Sequence, residues 1–176
     1  KLSIEITPHS SNEVNDYLTD FSQYILDKNH STSDTTDSFK LSAEIERALR
    51  NMLDLRVSRK KSEGKRINTD NAKIFASEFN SIQELTKKLL NRINLPVRNK
   101  TSFSNNTGES QKEWLHKTFK SINSGTHPQV GLAKRIVISI PKKLFDDIDY
   151  NLSVVDTKGI DQTVNRSDLD NCLTDN

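Results

Sequence analysis

Two short β-branched runs, Ile136-Val137-Ile138-Ser139-Ile140 and Leu152-Ser153-Val154-Val155, constrain this chain more than any other feature. Each is too short for a buried helix and rich in residues that suit a pleated strand. Pro141 stops the first run. Leu144, Phe145 and Ile148 make a turn or short helix, and Asn151 opens the second run. Strands joined by so short a connection are expected to lie side by side in one sheet, antiparallel. A further strand is expected at the start, where Leu2-Ser3-Ile4-Glu5-Ile6 alternates apolar and polar until Pro8.

The region between these strands has the period of helices. After the caps Ser10, Ser11 and Asn12, the residues Val14, Tyr17, Leu18, Phe21 and Ile25 predict a helix over about 12–28. A polar loop spans 29–38. Asp37 or Ser38 then starts a helix that carries Phe39, Leu41, Ile45, Ala48, Leu49, Met52 and Leu53 and ends near Arg56. Thr69 or Asp70 caps a long amphipathic helix bearing Ile74, Phe75, Phe79, Ile82, Leu85, Leu89, Leu90 and Ile93, closed by Pro96. Residues 97–108 read as a loop. A fourth helix, about 109–123, turns Trp114, Leu115, Phe119 and Ile122 inward and stops at Gly125. The predicted order is strand, four helices, two strands. Only 32% of the chain is apolar, so much of it must be exposed helix face and polar loop.

The second β-branched run ends abruptly in Asp156-Thr157-Lys158-Gly159. An apolar strand can carry an Asp to its C-terminal end, where the carboxylate holds the water shell of Mg²⁺. A Gly three residues later lets a backbone N–H approach a terminal phosphate, because no Cβ stands in the way. This segment resembles the Asp-x-x-Gly motif of the dynamin-like and related large P-loop GTPases, in which an apolar strand runs into Asp-Thr-Pro-Gly. Asp156, Thr157 and Gly159 match, and Lys158 replaces the proline. The lead-in Ile140-Pro141-Lys142-Lys143-Leu144-Phe145 is similar to the family's own. The resemblance covers roughly residues 135–170.

The resemblance implies a role for each of these residues. Asp156 would bind Mg²⁺ through water, and Gly159 would offer its N–H to the γ-phosphate of GTP or ATP. Thr157 would shape the turn. Lys158 either approaches the phosphates or points to solvent. Asp161 through Asn165 would form a switch-like segment. The implied fold is α/β: a partial P-loop-type sheet with strands near 2–6, 134–140 and 152–156, and an inserted, mostly α-helical region. On this division 1–10 is the first strand, 11–128 the helical insertion, and 129–176 the strand pair, the Asp-x-x-Gly turn and the start of the switch. The five glycines, Gly64, Gly108, Gly125, Gly131 and Gly159, include no phosphate-cradling Gly-x-x-x-x-Gly-Lys-Ser/Thr, and Asn99-Lys100-Thr101 lacks the aspartate of a guanine-reading motif. The expectation is an internal piece of a larger nucleotide hydrolase, inactive alone, that uses Mg²⁺ with GTP or ATP only in the complete protein.

The other chemistry-bearing feature is Arg56-Val57-Ser58-Arg59-Lys60-Lys61-Ser62-Glu63-Gly64-Lys65-Arg66, with six bases against one acid. Arg59, Lys60, Lys61, Lys65 and Arg66 could meet nucleic acid or an anionic membrane. No aromatic residue interleaves them, and the plainer reading is a solvated linker between helices. Net charge is +2 overall. It is split between +8 over residues 1–143 (24 bases, 16 acids) and −6 over 144–176 (two bases, eight acids).

Other catalytic constellations are poor. His9, His30, His116 and His127 have no metal-ligand spacing, and His9 and His30 read as solvated loop residues. The single cysteine, Cys172, sits among acids, which raise a thiol pKa. Two functions from different classes follow. One is the nucleotide hydrolase. The other is a helical interaction or scaffold domain whose basic linker binds an anionic partner. Self-assembly or a protein partner through the helical region goes with either, and a cytoplasmic location is the default.

Overall fold

The computed structural model describes residues 2–30, 41–62, 65–106 and 108–140. All of these belong to the first of two units into which the chain divides, Lys1–Pro141. The described residues are mixed α/β, with five α-helices and small antiparallel sheets.

The first strand, β1 (Ser3–Pro8), leads into the longest helix, α1 (Ser11–His30). The corner between them is built as a capping box. The Glu13 backbone N–H donates to Ser10 Oγ at 3.2 Å, and Glu13 Oε2 accepts from the Ser10 N–H at 2.8 Å. Helix α2 (Ala43–Met52) follows, with Ser42 as its cap. The cap expected at Asp37 or Ser38 lies outside the described residues. Next come β2 (Val57–Ser62), β3 (Lys65–Asp70), α3 (Asn71–Ala76) and α4 (Ile82–Ile93). Asn94, in the left-handed region at φ 51°, ends α4, and Pro96 sits in a single 3-10 turn just beyond. The last described elements are β4 (Ser102–Ser104), α5 (Gln111–Asn123) and β5 (Ala133–Ser139).

Three expectations are corrected by this order. The stretch 56–66 is no linker: it forms most of a hairpin, β2–β3. The single helix expected from residue 69 to Pro96 is two helices, α3 and α4, broken at 77–81, where the Ser81 side chain accepts from the Glu84 N–H and starts α4 afresh. The expected loop 97–108 contains β4, so the region between β1 and β5 contributes a strand to their sheet.

That sheet has the order β4-β1-β5, with both pairings antiparallel. Ile4 faces Phe103 on one side and Ile138 on the other, and Ile6 faces Ile136. The register shifts between Thr7 and Pro8, at the end of the strand, where proline has no N–H to donate to the ladder. Leu2, Ile4 and Ile6 are buried with Trp114, Ile122 and Val130, so α5 covers one face of the sheet. The other face carries Ser3, Glu5 and Thr7 opposite Ser139, Val137 and Arg135 and is mostly polar, the usual division in an antiparallel sheet. A doubly wound nucleotide-hydrolase sheet is mainly parallel and covered on both faces. Among the described residues no parallel pairing occurs, and the expected strand at 152–156 lies outside them.

A second core joins the helices. Val14, Leu18, Phe21 and Ile25 of α1 pack with Leu49 of α2, Ala72 and Ala76 of α3, and Leu85, Leu89 and Ile93 of α4. The polar atoms trapped between α1 and α4 satisfy each other: Thr86 Oγ1 donates to Ser22 Oγ at 2.9 Å, and Ser22 Oγ donates to the Leu18 carbonyl at 2.7 Å. The two cores are tied at the α2–α5 contact. Asn51 Nδ2 donates to the Ser124 carbonyl at 2.7 Å. Gly125 adopts φ +72° where a Cβ would stand 2.6 Å from the Ala48 carbonyl oxygen.

Candidate functional site

Asp156, Thr157, Lys158 and Gly159 lie outside the described residues, as do Asp161, Cys172 and the expected strand at 152–156. The described chain reaches the lead-in to that segment: β5 ends at Ser139, just before Ile140-Pro141. Val137 and Ile138 of β5 point to opposite faces of the sheet and are both exposed, as is Ile140.

The basic segment is well described. In the β2–β3 hairpin, Val57 pairs with Asp70, Arg59 with Asn68, Lys61 with Arg66, and Ser62 with Lys65. Side chains directly opposite in an antiparallel pair share a face, and the faces alternate along each strand. Arg59, Lys61 and Arg66 therefore fall on one face of the ribbon, with Arg59 diagonal to Arg66. All three are exposed, and none has an ion-pair partner among the described residues. Two cations directly opposite one another, Lys61 and Arg66, repel. Lys60, paired with Ile67, and Lys65 add charge to the same two strands.

The base of this ribbon is held firmly. Asp70, at the end of β3, accepts the N–H groups of Ala72 and Lys73 and so caps α3. It also receives Arg50 of α2, which in turn bonds Glu46 at 2.7 Å and the Leu55 carbonyl at 3.2 Å. Arg50 lies over the buried Phe21 ring, 5.4 Å from its centroid. Burial raises the Asp70 pKa, but the hydrogen bonds and charge of Arg50, with the two amides, outweigh it and hold the carboxyl below its usual range. Beside the base runs an open groove of about 540 Å³ lined by Val57, Asn68, Thr69, Asp70, Lys73 and Ile74. Val57 and Ile74 are exposed there.

His9, His116 and His127 do not converge. His116 is exposed on α5, as expected. His9 is not a solvated loop residue. Its side chain is only 12% exposed, its ring stands edge-on to Tyr17 at 5.1 Å, and its Nδ1 lies 3.4 Å from Glu13. His127 packs against Phe103, and burial, then Lys100 and Arg98, lower its pKa. Arg98 is structural. Its guanidinium donates to the carbonyls of Ile93, His127, Val130 and Met52, and so gathers the ends of α2 and α4 with the loop before β5. No group of three or more His, Cys, Asp or Glu able to hold a metal occurs among the described residues. No described helix is long and apolar enough to cross a membrane.

Sequence reasoning found the cations but missed the ribbon that displays them and the Arg50–Asp70 pair that roots it. The residues 63–64 between Ser62 and Lys65 are Glu-Gly, a spacing that suits a two-residue hairpin loop, and they were the available signal. The sequence matches no protein-family model, no curated protein and no solved structure.

Proposed function

We propose that this chain supplies the Mg²⁺-water and γ-phosphate segment of a P-loop nucleotide hydrolase, a GTPase of dynamin-like type or a related large ATPase. The observation that carries the reading is the apolar run Leu152–Val155 ending in Asp156-Thr157-Lys158-Gly159. β5, which pairs antiparallel with β1, leads toward that run. In this reading the partial P-loop-type sheet is completed by the strand at 152–156. Asp156 holds a Mg²⁺ water, Thr157 shapes the turn, and Gly159 gives its N–H to the γ-phosphate. Lys158 faces solvent or offsets charge on the phosphates. The phosphate-cradling loop must come from elsewhere in the protein, and a cytoplasmic location goes with the reading. The test is hydrolysis by the complete protein. Gly159→Ala should abolish GTP or ATP turnover while leaving diphosphate binding within a few fold. Unchanged turnover contradicts the assignment.

A second reading is favoured by the hairpin. It is a mostly helical interaction or scaffold domain that meets an anionic partner through Arg59, Lys60, Lys61, Lys65 and Arg66. The opposed cations Lys61 and Arg66 on an exposed ribbon support it. Binding that weakens steeply with salt, and is lost when Lys60, Lys61, Lys65 and Arg66 become Ala, is its signature. Self-assembly through the helical region is compatible with both readings.

A further inference from the structure

The hairpin allows the partner's chemistry to be narrowed. We propose that the β2–β3 ribbon binds the phosphate backbone of duplex nucleic acid without reading its sequence. This rests on the second reading above and is independent of the nucleotide site.

Four observations converge. First, Arg59, Lys61 and Arg66 share one exposed face. Cross-strand neighbours stand ~5 Å apart and same-face residues ~7 Å apart along a strand, so the three charges form one compact cluster. Placing Lys61 opposite Arg66 works against hairpin formation, and no described carboxylate offsets it. An anionic ligand reverses the sign of that repulsion. Two of the three cations are arginines, whose planar forks suit phosphate oxygens.

Second, the shape is a two-stranded ribbon, one of the two elements that the duplex major groove admits. Its base is anchored by the Arg50–Asp70 pair, so the ribbon is presented on a fixed support. Third, residues 57–70 contain no aromatic side chain. Single-stranded nucleic acid is gripped by stacking its bases on aromatic rings, and the ribbon offers no such platform. Fourth, the ribbon's exposed apolar residues do not join the cationic cluster: Val57 lies at its base and Ile67 on its opposite face. A membrane against Arg59, Lys61 and Arg66 would meet charge alone, and stable membrane attachment takes a second, apolar signal.

The experiment is fluorescence anisotropy of the complete protein with a labelled mixed-sequence duplex of about 20 base pairs over a series of salt concentrations. The comparison is with R59A/K61A/R66A, its fold checked by circular dichroism. The expected result is salt-sensitive duplex binding, equal for unrelated sequences. The variant should reduce the slope of log K against log salt by about 2–3, at ~0.9 per lost phosphate contact. R59K/R66K should keep most of the slope, which separates loss of charge from loss of structure. Three results overturn the proposal. The first is duplex binding unchanged in the triple variant. The second is binding to phosphatidylserine vesicles or to an oligo-dT strand with no duplex binding, which leaves the wider anionic reading standing. The third is binding to none of the probes, which removes both.

Discussion

Arg50 and Asp70 meet as a bidentate pair, with Nη1 2.8 Å from Oδ1 and Nη2 3.3 Å from Oδ2. The pair joins α2 to the junction of β3 and α3, and its side chains are only 12% and 22% exposed. Because Asp70 also caps α3, its removal strips two amides and leaves a largely buried guanidinium with fewer acceptors. Asp70→Ala should cost about 2–3 kcal/mol in urea unfolding, from the lost cap and the lost charged hydrogen bonds. Arg50→Ala should cost a similar amount, and the double variant less than the sum of the two. Strict additivity would show that the pair is not coupled.

The same carboxyl makes stability depend on acid. The folded pKa of Asp70 is lowered, so its contribution is full above the unfolded value of ~3.9 and is lost as pH falls through the lower folded value. Glu13 acts in the same direction. The Ser10 N–H, then Lys134, hold it down to about 2. Stability should therefore decline between about pH 4 and pH 2. Asp70→Asn should flatten part of that decline in a series of urea melts. An unchanged profile would contradict the assignment.

His127 has the same sign but a different window. Burial, then Lys100 and Arg98, disfavour its imidazolium in the folded state. The folded protein takes up the proton later than the unfolded chain does, so stability drops as pH falls below ~6.5. His127→Gln should remove the pH dependence between about pH 7 and pH 5, leaving only the acid limb below it. A variant that still loses stability over that interval would assign the effect elsewhere.

Much of the helical core was legible because its signals are local. The Ser10 cap, the stripe Val14-Leu18-Phe21-Ile25 and the inward Trp114 and Ile122 of α5 are all read from short windows, and the structure has them. The break between α3 and α4 was obscured because Phe75, Phe79 and Ile82 keep helical spacing across it. Ser81-Ile82-Gln83-Glu84 was a capping signature in plain view. The hairpin escaped because charge on both strands hides the alternation that marks a half-buried strand. β4 is three residues long and exists through its pairing with β1, a contact that no local window contains. Of the candidate sites, the cations of 56–66 were visible as charge but not as a face.

Ser22 and Thr86 form a closed polar pair inside the helical core. Thr86→Val leaves Ser22 Oγ without its incoming donor and should cost about 1 kcal/mol. Ser22→Ala should cost more, because the Thr86 hydroxyl then loses its acceptor in a buried site. The double variant, S22A/T86V, should recover part of the combined loss, since two apolar groups satisfy the packing without stranding a polar atom. A double-mutant cycle in urea with no coupling would contradict this.

Gly125 is held in the left-handed region where α5 ends against α2. Gly125→Ala faces about 1–2 kcal/mol from the backbone conformation alone. The clash with the Ala48 carbonyl adds to that and should loosen the Asn51–Ser124 bond beside it. The melting temperature should fall by several degrees. Stability equal to that of the unsubstituted protein would mean that the two cores are not joined this closely.

The measurement that bears most directly on the proposed function is Mg²⁺-dependent nucleotide binding by the complete protein. A fluorescent GTP or ATP analogue would be titrated with and without EDTA, in the unsubstituted protein and in Asp156→Ala. The account predicts micromolar or tighter binding that needs Mg²⁺ and weakens at least tenfold in Asp156→Ala, with the fold of residues 2–140 unchanged by circular dichroism. Binding that ignores both Mg²⁺ and Asp156, or no nucleotide binding at all, would contradict it and make the basic hairpin the next site to test.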